Sequence, residues 1–216
     1  VGPETAVAST KASTSQVLLQ IMLAIYLGRM RELPKSKAVT ILKEIQKLPV
    51  LAEKILKNAK SIEKLAKKYK NSRDFFFLGR KYNTGTAMEG SLKMKECSYI
   101  HAEGINATEL KHGPLSLIDK NLPSFVIVPE DSMYEKNKTC IEEIKARGGR
   151  VIALTTLGNK EIKNLADDVI YIPKTLEILT PILAFIPMQL LAYYVAVARG
   201  NDVDKPRNLA KSVTVE

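Results

Sequence analysis

The chain has 216 residues, 45% of them hydrophobic, which is enough for one sizeable core and excludes an extended, disordered polypeptide. Its formal net charge of +10 is concentrated locally, because residues 35–73 hold eleven Lys and Arg73 against only Glu44, Glu53 and Glu63. Arginine is scarce there, aromatic residues do not interleave and no nucleic-acid motif appears, so the charge reads as a solvated helix face and no nucleic-acid partner is expected.

In chain order, "VGPETAVAST" has no initiator Met, basic n-region or apolar h-region, so it is not a signal peptide and reads as a chain beginning in the middle of something. From residue 13, "STSQVLLQIMLAIYLGRMREL" predicts a helix opened by a Ser/Thr cap, apolar on most sides and therefore buried; Leu33-Pro34 ends it. Helices over 36–47 and 50–69 follow, joined at Leu48-Pro49, the second with Leu51, Ile55, Ala59, Ile62, Leu65, Ala66 and Tyr69 on one face. The period then changes. "DFFFLGR" (74–80), "SFVIVP" (124–129), "RVIALTT" (150–156) and "DVIYIP" (168–173) are short apolar runs bounded by turn residues, the pattern of buried parallel strands, and "SYIHAEG" (98–104) is a weaker fifth. Helical stretches over 84–97, 132–147 and 160–166 lie between them. The pattern predicts an α/β fold, a doubly wound parallel five-stranded sheet flanked by helices. Ligands bind such sheets at the carboxyl ends of the strands, which places the loop after Gly79 and the loop carrying His112 near one crevice.

Residues 178–198 carry no charge and have the length of a membrane span, but Pro181, Pro187, Gln189 and two Tyr interrupt them. A helix buried between the sheet and a neighbouring subunit fits better than a membrane. The segment after Gly200-Asn201 lacks a periodic face, yet Pro206, Leu209, Val213 and Val215 suggest that it is ordered against something. Cys97 and Cys140 have neither CxxC spacing nor a His cluster, so no metal, cofactor or disulfide is expected and a cytoplasmic, reducing setting fits.

Three residues are candidates for chemistry. Glu96 ends the helix after the first strand, one turn beyond Lys93. A surface ion pair is one reading; the other is a general base whose pKa is raised because a buried strand follows directly. His112, in "ELKHGPLSL", sits before Gly113-Pro114 in a stiff, non-helical loop, as turn filler or as an acid/base that titrates near neutrality. Lys211, six residues from the C-terminal end, is ordinarily solvated, and forms a Schiff base only if packing holds it.

The stretches "VASTKAST", "SLKMKECSYIHAEG", "ELKHGPLSLID" and "QLLAYYVAVARGNDVDKPRNLAKSVTVE" closely resemble the isomerase half of the glutamine-dependent glucosamine-6-phosphate synthases, the glutamine:fructose-6-phosphate aminotransferases, from Val7 to Glu216. The resemblance implies flavodoxin-like sugar isomerase (SIS) subdomains: residues 1–32 as the end of a first, 33–200 as a second, and 201–216 as a C-terminal active-site tail. It implies Glu96 as the base that moves a proton between C1 and C2, His112 as the acid/base that opens the sugar ring, and Lys211 as the Schiff-base amine. By the same matching Lys93 orients Glu96, Val7, Ser9 and Lys11 contact the sugar, and Ala210 lies beside it. The implied substrate is fructose 6-phosphate, the product is glucosamine 6-phosphate, and neither metal nor cofactor is needed. His112 is expected to reach the partner's active site in a homodimer.

Two family parts are not in these residues: the glutaminase domain that releases ammonia, and the first subdomain's phosphate-cradling loop. "GRKYNTGTAMEG" occupies the corresponding place in the second subdomain, with 83–86 as an alternative anion cradle. The chain is therefore expected to be a piece of a longer protein, inactive alone. The alternatives are a non-catalytic sugar-phosphate-binding module and a dimerisation core.

Overall fold

A computed structural model describes residues 1–212. The expectation that Val213 and Val215 order the tail lies outside those residues. Four helices come first: α1 (Lys11–Arg29), α2 (Lys35–Ile45), α3 (Leu48–Leu56) and α4 (Ala59–Tyr69). The helix expected over 50–69 is two, because the chain turns at Asn58, whose carbonyl accepts from Ser61 N at 3.0 Å and Ser61 Oγ at 2.7 Å. The alternating part follows as β1 (Asp74–Gly79), α5 (Asn83–Ser98), β2 (His101–Asn106), β3 (Pro123–Val128), α6 (Tyr134–Lys145), β4 (Arg150–Thr156), α7 (Glu161–Leu165), β5 (Asp168–Ile172) and α8 (Thr180–Ala198).

All strand pairs are parallel, and the order β2-β1-β3-β4-β5 puts the topological switch between β1 and β3. Strand periodicity divides the core in two. Phe75, Phe77, Phe125, Ile127, Ile152 and Leu154 face α1–α5 and α8, whereas Phe76, Leu78, Val126, Val128, Val151 and Ala153 face α6 and α7. The α5 helix crosses from β1 outward to β2 and α6 runs the other way to β4, so right-handed crossovers put them on opposite faces.

Glycine sets the closeness of α5. A Cβ on Gly90 would lie 2.6 Å from Met188 Sδ and 2.8 Å from Phe77 Cδ1, and one on Gly104 only 2.4 Å from Met88 Cα. Both positions let α5 rest directly on α8, β1 and β2.

The charge-free run is α8, and 61% of its most apolar window is buried. Its cover within the chain comes mainly from α5, α4 and α3. The α1 helix departs from expectation. Ile21 and Ile25 are buried, but Leu19, Met22, Leu23, Tyr26, Leu27 and Met30 are exposed. A single stripe of α1 meets α8 and α2, so the rest of its apolar circumference has no cover within the described residues.

Candidate active site

The α5 helix carries Glu89, Lys93 and Glu96 at a spacing of four and then three residues, which places them on one face. Lys93 is only 3% exposed and its Nζ lies 2.5 Å from Glu96 Oε2. The buried ammonium thus holds the carboxylate in one orientation, through a bond that is charge-assisted. Glu89 Oε1 lies 3.5 Å from the same ammonium and has no hydrogen-bond partner although it is buried. Burial pushes the Glu89 carboxyl above its ordinary value, against the opposing pull of Lys93. Glu89 was not singled out from the sequence. Its signal there was the spacing of four residues to Lys93 in "MEGSLK", which alone reads as a surface pair.

The segment before α1 and the tail converge on the last turns of α5. Ala8 is buried against Cys97 and Ala196. Val7 N donates to Asp204 O at 2.9 Å, and Lys211 Nζ donates to Val7 O at 3.3 Å. Glu96, Tyr99, Arg207 and Leu209 line one open cleft of about 460 Å³. The chain therefore draws Val7, Lys93, Glu96 and Lys211 to the same end of the molecule. Lys11 opens α1 and Ala210 precedes the lysine, both exposed. Ser9 shares with Thr10 and Ala12 the carboxylate of Glu4, which accepts from Thr10 N at 2.8 Å and Ala12 N at 3.3 Å. Burial pushes the Glu4 carboxyl up, but these bonds outweigh it and leave its pKa at about 2. This acceptor satisfies amides at the start of α1, where Thr10 makes no side-chain cap of its own.

His112 is elsewhere. It ends a single 3-10 turn, Leu110–His112, beyond the carboxyl end of β2, on a loop anchored by fully buried Leu110 and followed by Gly113 at φ 143°. A second 3-10 turn, Pro114–Leu117, follows Gly113, so the loop is helical on both sides of that glycine where a stiff, non-helical one was expected. Ala107 N donates to Gly79 O at 2.9 Å and Arg80 Nη2 to Ala107 O at 3.2 Å, so the loops after β1 and β2 do adjoin, as the topology predicts. Glu96 and the tail lie at the opposite end. Between them runs β2, whose six residues span about 17 Å at the usual strand rise. One chain does not bring His112 to Glu96.

A family profile described as "SIS domain" matches residues 68–199, well over half of the chain. The chain belongs to the SIS domain family. The SIS match spans β1 to β5 and all of α8, and so takes in Glu89, Lys93, Glu96 and His112, while Val7 and Lys211 lie outside it. Among curated relatives, the glutamine–fructose-6-phosphate aminotransferase [isomerizing] of Thermus thermophilus is 50% identical over all 216 residues, which make up 36% of that protein. The C-terminal domain of glucosamine-fructose-6-phosphate aminotransferase from Francisella tularensis is a similar solved structure, with 34% identity, a TM-score of 0.88, and coverage of 94% of this chain and 58% of that one. A glucosamine-6-phosphate deaminase from Thermotoga maritima is 26% identical with a TM-score of 0.74, covering 99% of this chain and 60% of that one. The chain therefore spans about a third of the length of the curated relatives it matches.

Proposed function

We propose that this chain is the isomerase part of a glutamine–fructose-6-phosphate aminotransferase and works as a homodimer in the cytoplasm. The observation that carries the proposal is the division of its residues: Lys93, Glu96 and Lys211 at one end, and His112 beyond the reach of its own Glu96 at the other. Two copies arranged about a two-fold axis bring His112 of each to the Glu96 end of the other.

In this reading His112 moves the proton that opens the ring of fructose 6-phosphate. The Lys211 amine adds to the C2 carbonyl and expels water, giving an imine that ammonia displaces. Glu96 then takes a proton from C1 and returns it to C2 while O1 loses its proton and the imine nitrogen gains one, which converts the ketose imine into the 2-amino aldose. The Lys93 ammonium keeps Glu96 aimed, and Val7, Ser9, Lys11 and Ala210 contact the sugar. The ammonia and the phosphate-cradling loop come from the remainder of the protein. The relatives' activity as glutamine–fructose-6-phosphate aminotransferases and the 50% identity over the whole chain support this substrate.

The test uses the protein at the full length of its relatives. Glu96→Gln and Lys211→Ala are each expected to lower kcat for glucosamine 6-phosphate formation by about 10²–10⁴-fold while fructose 6-phosphate still binds. Retention of normal kcat by either variant refutes the assignment of that residue.

A further inference from the structure

One residue between Glu96 and the tail is built against its own backbone preference. Tyr99 caps α5 in the left-handed region, at φ 55° and ψ 30°, where a bulky side chain is disfavoured and glycine is the usual occupant. Its side chain makes two contacts with the tail, both to Arg207. Tyr99 Oη accepts from Arg207 N at 2.7 Å, and the Arg207 guanidinium lies 4.3 Å from the centre of the Tyr99 ring. Around this contact the tail is fixed at neighbouring points: Asn201 Nδ2 donates to Cys97 O at 2.9 Å, Pro206 is buried, and Asp202 Oδ1 accepts from Asp204 N and Lys205 N at 2.9 Å each. Tyr99 is three residues after Glu96, and Arg207 is four residues before Lys211.

We infer that the Tyr99–Arg207 clamp is a positioning device that sets the register between the tail lysine and the carboxylate of α5. Tyr99 does not touch the reacting atoms; it acts by fixing where the tail leaves the body. This inference rests on the function proposed above, and its two measurements separate the clamp from that function.

The first measurement is hydrogen exchange in the peptide containing Arg207, in the full-length protein. Tyr99→Phe keeps the ring and removes the acceptor, and is expected to speed exchange at the Arg207 amide about tenfold. Tyr99→Gly removes both contacts while relieving the backbone, and is expected to speed it further without lowering the melting temperature. Unchanged exchange in both variants overturns the clamp, whatever the enzyme does. The second measurement is catalysis. Tyr99→Gly is expected to lower kcat about tenfold or more with little change in the KM for fructose 6-phosphate, and to reduce borohydride trapping of the sugar on Lys211; Tyr99→Phe falls between Tyr99→Gly and the native protein. Faster exchange with unchanged kcat and trapping overturns the positioning role while leaving the clamp as a structural contact. Normal kcat in Lys211→Ala sinks the functional reading and leaves the exchange result standing.

Discussion

At the scale of single residues, Lys93 decides the electrostatics of the site. Its ammonium is the counter-charge shared by Glu89 and Glu96, so Lys93→Met leaves two carboxylates facing each other in a partly buried setting. The expected loss is about 1–3 kcal/mol of unfolding free energy at pH 7, read by urea denaturation. Because the folded pKa of Glu89 lies above its unfolded value, ionised Glu89 costs stability, and that cost is relieved as pH falls through the folded value. The deficit of Lys93→Met should accordingly narrow on acidification; a deficit independent of pH refutes the shared counter-charge. The two thiols are inert by the same burial. Cys140 is pushed up to about 12 and Cys97 is also raised, both by desolvation, so iodoacetamide at pH 8 should leave Cys140 unlabelled in the native protein and label both when urea is present.

The element that matters most is α5, since it carries Glu89, Lys93, Glu96 and Tyr99 and rests on α8, β1 and β2 through glycines. Gly90→Ala places a methyl against Met188 and Phe77 and should destabilise the protein by about 1–3 kcal/mol, with a matching drop in kcat if the helix shifts. Unaltered stability on denaturation shows that α5 has room to spare. The segment before α1 depends on Glu4. Its folded pKa of about 2 is below the ordinary 4.5, so the stability it contributes is complete above 4.5 and is lost as pH falls towards 2. Between those values, proteolysis ahead of α1 should accelerate, whereas Glu4→Gln should make that proteolysis faster at neutral pH and insensitive to the same pH range.

For the whole molecule, the separation of His112 from Glu96 makes a prediction that no monomeric site shares. Glu96→Gln and His112→Ala are each inactive in this reading, but mixed after dissociation and reassociation they form heterodimers with one intact site. About half the dimers are then mixed, with one working site in two, so roughly a quarter of native activity returns. No recovery in a demonstrably exchanged mixture refutes the shared site.

Fold class and strand identity were legible in the sequence because each apolar run was short, bounded by turn residues and alternated with helical stretches, a local pattern that fits a parallel sheet. Glu96, Lys93, His112 and Lys211 stood out as candidates through the motifs around them. Burial was not. Glu89 and Glu96 have the same chemistry on one helix, and the packing of α5 decides which oxygen is left without a partner. The strain at Tyr99 was invisible for a similar reason, since its contact with Arg207 joins residues 108 apart in sequence. The sequence by itself determined the sheet, its helices and the chemical candidates, because these follow from periodicity and residue type. Only the tertiary structure decided which candidates meet, since the crossover of α5 and the length of β2 put Glu96 at one end of the sheet and His112 at the other.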